Sequence, residues 1–179
     1  MTPIILPYRG VLPTIAPDAF VAPGATVIGD TEIGPGTGIW FGCVVRGDVH
    51  EIRIGANTNV QDGTVIHVSK GTFGTYIGDS VTIGHQALIH ACTLEDRCFV
   101  GMNATVMDGC VVETGAMVAA GALVTPGKRV KAGELWAGSP AKLKRDLTED
   151  DTKTWQEQAD RYAALAREYC EVLAARAAS

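Results

Sequence analysis

Three histidines fall within the stretch 67–90: His67, His85 and His90. Imidazole is the commonest protein ligand for transition metals. Three neutral imidazoles with a fourth position open form the catalytic rather than the structural type of zinc site. Such a centre would make hydroxide available from water at neutral pH and direct it at a carbonyl carbon. The spacing argues against a simple version of this. His85 and His90 stand five apart, too far for adjacent turns of a helix and, being odd, opposite in sense along a strand. Polar side chains gather upstream, in "RGD" at 46–48 and "NVQD" at 59–62. Whether any of them meet depends on the elements that carry them.

Bulk properties narrow the choice of elements. The chain has 179 residues, enough for one domain or a domain with an appendage, with a real core. A formal net charge of −5 and the lack of any Lys/Arg cluster exclude a nucleic-acid surface. No window approaches the roughly 18 to 20 uninterrupted apolar residues of a membrane span. The opening "MTPIILPYRG" has prolines inside its only apolar run and is no secretory signal. Five cysteines, at 43, 92, 98, 110 and 170, include no CxxC pair. They read as free thiols in a reducing cytosol, so a cytoplasmic protein is expected. Glycine numbers 21 while aromatics make up 6% of the chain, a balance that suits β-structure with many tight corners.

The elements themselves come from a repeat. Aliphatic residues recur every six positions at Ile15, Val21, Val27, Ile33, Ile39 and Val45, then at Ile54, Val60 and Ile66, then at Ile77, Ile83 and Ile89. After one step of five to Leu94, the sixes run through Val100, Val106, Val112, Val118, Val124 and Val130 to Trp136. Four positions after most anchors stands a small residue, such as Ala25, Thr37, Cys43, Thr58, Ala87, Cys98 or Cys110. This pattern predicts an all-β solenoid of hexapeptides, three to a triangular coil, with the anchors inside and the small residues filling the corners. Cysteines at the small position are expected to be packing residues, not nucleophiles. Three extra residues between Val45 and Ile54, and five between Ile66 and Ile77, mark excursions from the prism, where function tends to sit.

The repeat covers residues 15–140, after a lead-in of residues 1–14. From Thr148 the chain turns polar and alanine-rich, without Gly or Pro. "LTEDD" supplies a capping Thr and an acidic first turn. Trp155, Ala159, Tyr162, Ala166, Tyr169 and Leu173 then form one apolar stripe, predicting a helix over 147–177 that lies back along the prism and protects its β-edge.

Counting along the repeat brings the histidines together in part. His67 and His90 each follow an anchor, Ile66 and Ile89, and those anchors are one full coil apart. They should therefore stack in one column, about 4.8 Å apart. Arg46, after Val45, falls in the same column one coil below. His85 stands two after Ile83 on the preceding face, and Asp62, two after Val60, sits beneath it with Gln61 alongside. One face thus carries Arg46, Asp48, His67 and His90; the other carries Gln61, Asp62 and His85. Three prisms side by side would bring unlike faces into contact, and His85 could then reach the other two from a neighbouring subunit.

These residues resemble the γ-class carbonic anhydrase family across about residues 10–175. The likeness rests on "RGD" (46–48), "NVQD" (59–62), "IH" (66–67), "IGHQALIH" (83–90), "VGMNATVMDG" (100–109) and "GSPAK" (138–142). The resemblance implies a left-handed β-helix and a homotrimer, with His67 and His90 of one subunit and His85 of the next holding Zn²⁺, or Fe²⁺ or Co²⁺ instead. It implies the interconversion of CO₂ and bicarbonate through a metal-bound hydroxide, using the water pKa of about 7 established for carbonic anhydrase. Gln61 would orient hydroxide or bicarbonate, Arg46, Asp48 and Asp62 would support the site and the subunit contact, and Tyr162 would reach the pocket. Two departures stand out. Val49 occupies a position where well-known members carry a proton-transferring Glu, and the loop after His67 reads "SKGTFGT" where theirs is acidic. His50 is the candidate substitute carrier. Alternative readings are a metal-dependent thioesterase of an acyl-CoA pathway, a metal-stabilised trimeric scaffold of weak activity, and the acyltransferase typical of hexapeptide proteins.

Overall fold

A computed structural model describes residues 2–177. Most hexapeptides from residue 14 onward contribute a strand of two or three residues at the anchor, such as Thr82–Ile83, Leu88–His90 and Phe99–Val100. Strands this short cannot stand alone, and each is held by parallel pairing to the coils on either side. Ile66 is the register partner of Ile89, Ile89 of Val106, and Val106 of Val124. On another face Val60 pairs with Ile83, Ile83 with Val100 and Val100 with Val118. The ladders form a 12-stranded sheet wrapping two faces of the prism and an 8-stranded sheet on the third. The chain is an all-β solenoid with one C-terminal helix. Among the described residues, no helix is long and apolar enough to cross a membrane.

Every anchor from Val27 to Val130 is buried. Ile15, Val21 and Trp136 are only partly so, because a terminal coil has a neighbour on one side. At the corners, small side chains also satisfy backbone groups that the turn takes out of the ladder. The Thr37 hydroxyl donates to the Gly55 carbonyl at 2.7 Å and accepts the Thr58 amide at 3.1 Å. Thr58 repeats this one coil on, donating to the Gly78 carbonyl at 2.8 Å and accepting the Val81 amide at 3.0 Å.

Cys43, Cys98 and Cys110 are buried at the corner positions, as is Cys92 elsewhere. Burial pushes the Cys43 thiol up to about 12, and raises the other three as well. Thiolate is the reactive form, so these four are expected to be inert in the folded protein. A disulfide reagent should titrate one thiol per chain rapidly, the exposed Cys170, and all five after unfolding. Fast reaction of a second thiol in the folded state would contradict the packing role.

The two excursions behave differently. Between Val45 and Ile54 the chain does not loop out; it runs as one strand, Val44–Ile54, straight through a corner beside Thr26–Ile33. The extra residues are absorbed by a register shift between Gly29 and Thr31. Glycine permits it, since a Cβ on Gly29 would come within 2.3 Å of the Gly47 carbonyl oxygen. Between Ile66 and Ile77 the chain does leave the prism, in a tight hairpin closed by the Ser69 amide donating to the Phe73 carbonyl at 3.0 Å. The lead-in also contributes to the sheet, as Ile4–Leu6 pairs with Thr26, Val27 and Ile28.

The helix Glu149–Ala177 starts at a reciprocal cap. The Thr148 amide donates to Asp151 Oδ2 at 2.8 Å and the Asp151 amide returns to the Thr148 hydroxyl at 3.3 Å. Its apolar stripe lies on the 8-stranded sheet, with Trp155 against Phe99 and Tyr162 and Tyr169 against Trp40. The helix meets the strands Phe20–Val21, Gly38–Ile39 and Asn59–Val60, toward the first coils. The expectation that it protects the far β-edge of the solenoid is therefore not met. That edge is covered by Lys142–Asp146, which doubles back antiparallel on Glu134–Ala137.

Candidate metal centre

His67 and His90 are direct register partners on adjacent strands, Val65–His67 and Leu88–His90. Both rings stand on the outer surface of the 12-stranded sheet, partly buried, with centroids 5.3 Å apart. Each is gripped from outside the pair by a carboxylate. Asp48, one coil below, lies 3.0 Å from His67 Nε2; Asp108, one coil above, lies 2.6 Å from His90 Nδ1. Arg46 forms an ion pair with the other oxygen of Asp48, and Ser69 donates to the other oxygen of Asp108. Burial tends to raise the Asp48 carboxyl, but the hydrogen bonds from His67 and Arg46 outweigh it and hold the group below its ordinary range. At Asp108, burial is likewise outweighed by the bonds from Ser69 and His90. Both carboxylates are thus anionic at neutral pH and accept the N–H of their histidines.

That assignment fixes what faces inward. With Nε2–H of His67 and Nδ1–H of His90 donated outward, His67 Nδ1 and His90 Nε2 present lone pairs to each other at 3.3 Å. Two bare nitrogens at that distance repel unless a proton or a cation lies between them. Two nitrogens bound tetrahedrally at 2.0 to 2.1 Å would stand about 3.3 to 3.4 Å apart. The pair therefore fits a transition-metal ion, with carboxylates orienting the ligand imidazoles from behind.

His85 occupies the other group. It sits at a corner after Thr82–Ile83, in the 8-stranded sheet, with Nδ1 2.9 Å from Asp62 Oδ2. Its Nε2 lies 3.4 Å from the Tyr162 hydroxyl, so the helix reaches this histidine within the same chain. Burial and the nearby Asp62 charge raise the Tyr162 phenol, which keeps it a proton donor. Gln61 is 1% exposed. Its amide nitrogen donates to Asn59 Oδ1 at 3.1 Å, and Asn59 donates to the Thr82 hydroxyl at 2.9 Å. Among the described residues, no three His, Cys, Asp or Glu side chains of one chain converge to hold a metal ion. The structure thus brings together Arg46, Asp48, His67 and His90, and separately Gln61, Asp62, His85 and Tyr162.

Sequence reasoning passed over Asp108 and Asn59, although both lie in quoted motifs. The column count comes within one residue of Asp108. Val106 pairs with Ile89, so Met107 stacks on His90 and Asp108 is the next residue. Asn59 is discernible only once Gln61 is seen to be buried and bonded to it.

Known proteins resemble this chain. A model of bacterial transferase hexapeptides matches residues 91–126. Gamma carbonic anhydrase 2 of Arabidopsis thaliana mitochondria is 51% identical over 160 residues, which are 87% of this chain and 58% of that protein. A carbonic anhydrase of Geobacillus kaustophilus is 44% identical over 168 residues, 94% of this chain and 88% of that one. The chain belongs to the γ-class carbonic anhydrase family. It spans less than two thirds of the plant relative's length. Among solved structures, a hexapeptide transferase family protein from Anaplasma phagocytophilum is 50% identical with a TM-score of 0.89, covering 93% of this chain and 98% of that one. The fold is the left-handed β-helix of hexapeptide proteins. Position 49 is a valine, and the hairpin 69–73 carries no carboxylate.

Proposed function

We propose that this protein is a carbonic anhydrase-like lyase that interconverts CO₂ and bicarbonate at a divalent metal shared between two copies of the chain in a homotrimer. The observation that carries the reading is the facing pair His67 Nδ1 and His90 Nε2, 3.3 Å apart, with Asp48 and Asp108 holding the opposite nitrogens. When bound, the metal supplies Lewis acidity that makes hydroxide available from water near pH 7. Imidazole donors suit Zn²⁺, Fe²⁺ and Co²⁺ alike, and Zn²⁺ is the simplest assignment.

The chain's own groups perform the rest. His67 and His90 supply two ligands from one column, and His85 Nε2 of an adjacent copy supplies the third. Asp48 and Asp108 keep the imidazole tautomers fixed with the lone pairs inward. Asp62 does the same for His85, accepting at Nδ1 and leaving Nε2 for the ion. Arg46 holds Asp48 in place. The Tyr162 hydroxyl stands 3.4 Å from His85 Nε2, and Gln61 is buried on the same face; in this reading the two help to orient a small oxyanion such as bicarbonate.

Replacing His67, His85 or His90 with Ala is expected to remove most bound Zn²⁺ and to abolish CO₂ hydration, while circular dichroism still reports the β-helix. The fold survives because anchors, not ligands, build the core. Wild-type metal content in any of the three variants would remove that residue from the site. Wild-type protein that binds metal yet hydrolyses acyl thioesters and leaves CO₂ untouched would shift the assignment to a thioesterase.

A further inference from the structure

We propose that the hairpin Ser69–Phe73 is a positioning device for His90, acting through Asp108, with Ser69 as its working residue. This rests on the reading of His90 as a metal ligand. The loop after His67 carries no carboxylate, so it cannot transfer protons as an acidic loop would. Its contacts point to another task.

Ser69 donates its hydroxyl to Asp108 Oδ2, while Asp108 Oδ1 faces His90 Nδ1 at 2.6 Å. A carboxylate engaged at one oxygen can swing about its side-chain torsions; one engaged at both has its plane fixed. The imidazole ring it holds is then fixed in turn. The hairpin is itself seated on that coil, with the Phe73 ring against Gly109, where an added Cβ would lie 3.5 Å from the ring edge.

The far end of the same excursion holds the backbone. Thr75 is fully buried; its hydroxyl donates to the His67 carbonyl at 2.6 Å and accepts the Ala91 amide at 3.0 Å. Ala91 directly follows His90 and has φ of +51°, a left-handed conformation that an alanine rarely adopts. Such a residue persists where its surroundings over-determine it, and Thr75 is part of that constraint. One excursion therefore fixes the side-chain plane of His90 from above and joins the ends of both histidine strands from below.

Outer partners of metal ligands typically govern tenfold or more in metal affinity. The full-length protein loaded with Co²⁺ provides the test, by the rate at which Co²⁺ passes to excess EDTA and by its visible absorption bands. Ser69→Ala is expected to release Co²⁺ about tenfold faster than wild type, with altered bands. Ser69→Thr keeps the hydroxyl and should restore both, and Lys70→Ala, at the exposed tip, should change neither. His90→Ala serves as the reference. If His90→Ala holds Co²⁺ like wild type, the metal-site reading itself falls. If His90→Ala loses Co²⁺ while Ser69→Ala keeps the wild-type rate and bands, the positioning proposal alone falls. A metal-free Ser69→Ala protein that melts well below wild type, with no rescue by Thr, also overturns it, because the hairpin would then be holding the fold and not the ligand.

Discussion

Mixing His67→Ala chains with His85→Ala chains is expected to return about a quarter of wild-type activity, although each variant alone is inactive. In either homotrimer every site lacks one ligand. After joint unfolding and reassembly, an interface is intact when the His85→Ala chain supplies His67 and His90 and the His67→Ala chain supplies His85. Each condition holds half the time under random assortment, which gives the quarter. The structure makes the control sharp. His67 and His90 are register partners on one sheet, so His67→Ala mixed with His90→Ala leaves a defect in every possible column and should restore nothing. Activity and metal content of the mixtures, with mixed trimers verified by mass spectrometry, check the expectation. A dead first mixture despite mixed trimers would mean that one chain brings all three ligands together.

The second large effect concerns the core. Val124→Asp is expected to abolish soluble expression or to lower the melting temperature by at least about 10 °C, whereas Lys142→Ala should shift it by no more than about 2 °C. Val124 is fully buried on the strand Leu123–Val124, stacked on Val106. A carboxylate there has no partner and no water, which costs several kcal/mol against a total stability of about 5 to 15 kcal/mol. Lys142 is exposed on the final strand. Thermal unfolding followed by circular dichroism measures both, and an unchanged melting temperature for Val124→Asp would show that the repeat is out of phase with the prism.

The prism interior is legible in the sequence because one rule, a parallel register every three hexapeptides, sets inside and outside for each residue. The same rule brings His67 onto His90, and Asp62 under His85, despite raw spacings of 23 residues in each pair. It fails where the chain departs from six. Three extra residues after Val45 suggest a loop, yet paired glycines let two strands pass the corner in contact, and backbone proximity of that kind leaves little trace in composition. Asp108 escapes the column count because it is offset by one from the column of His90 and reaches that histidine only by leaning back. The stripe on the helix is clear from its spacing, but the sheet it would cover, and hence the contact between Tyr162 and His85, depends on aromatic packing among Trp40, Phe41 and Tyr169.

The reversal at Lys142–Asp146 bears on how long such a molecule can be. A stack of identical coils has no natural end, since each new layer exposes an edge like the one it has just covered; unchecked, that is the geometry of a fibril. Here the chain turns back on Glu134–Ala137, and it also lays Gly138 and Ala141 against Leu123, taking up that strand's free amide and carbonyl. The strand left outermost carries Lys142, Lys144, Arg145 and Asp146, all exposed. An approaching copy therefore meets a row of charged side chains in place of an open apolar edge. Nine residues of irregular sequence, 138–146, convert a motif capable of indefinite growth into a particle of defined size.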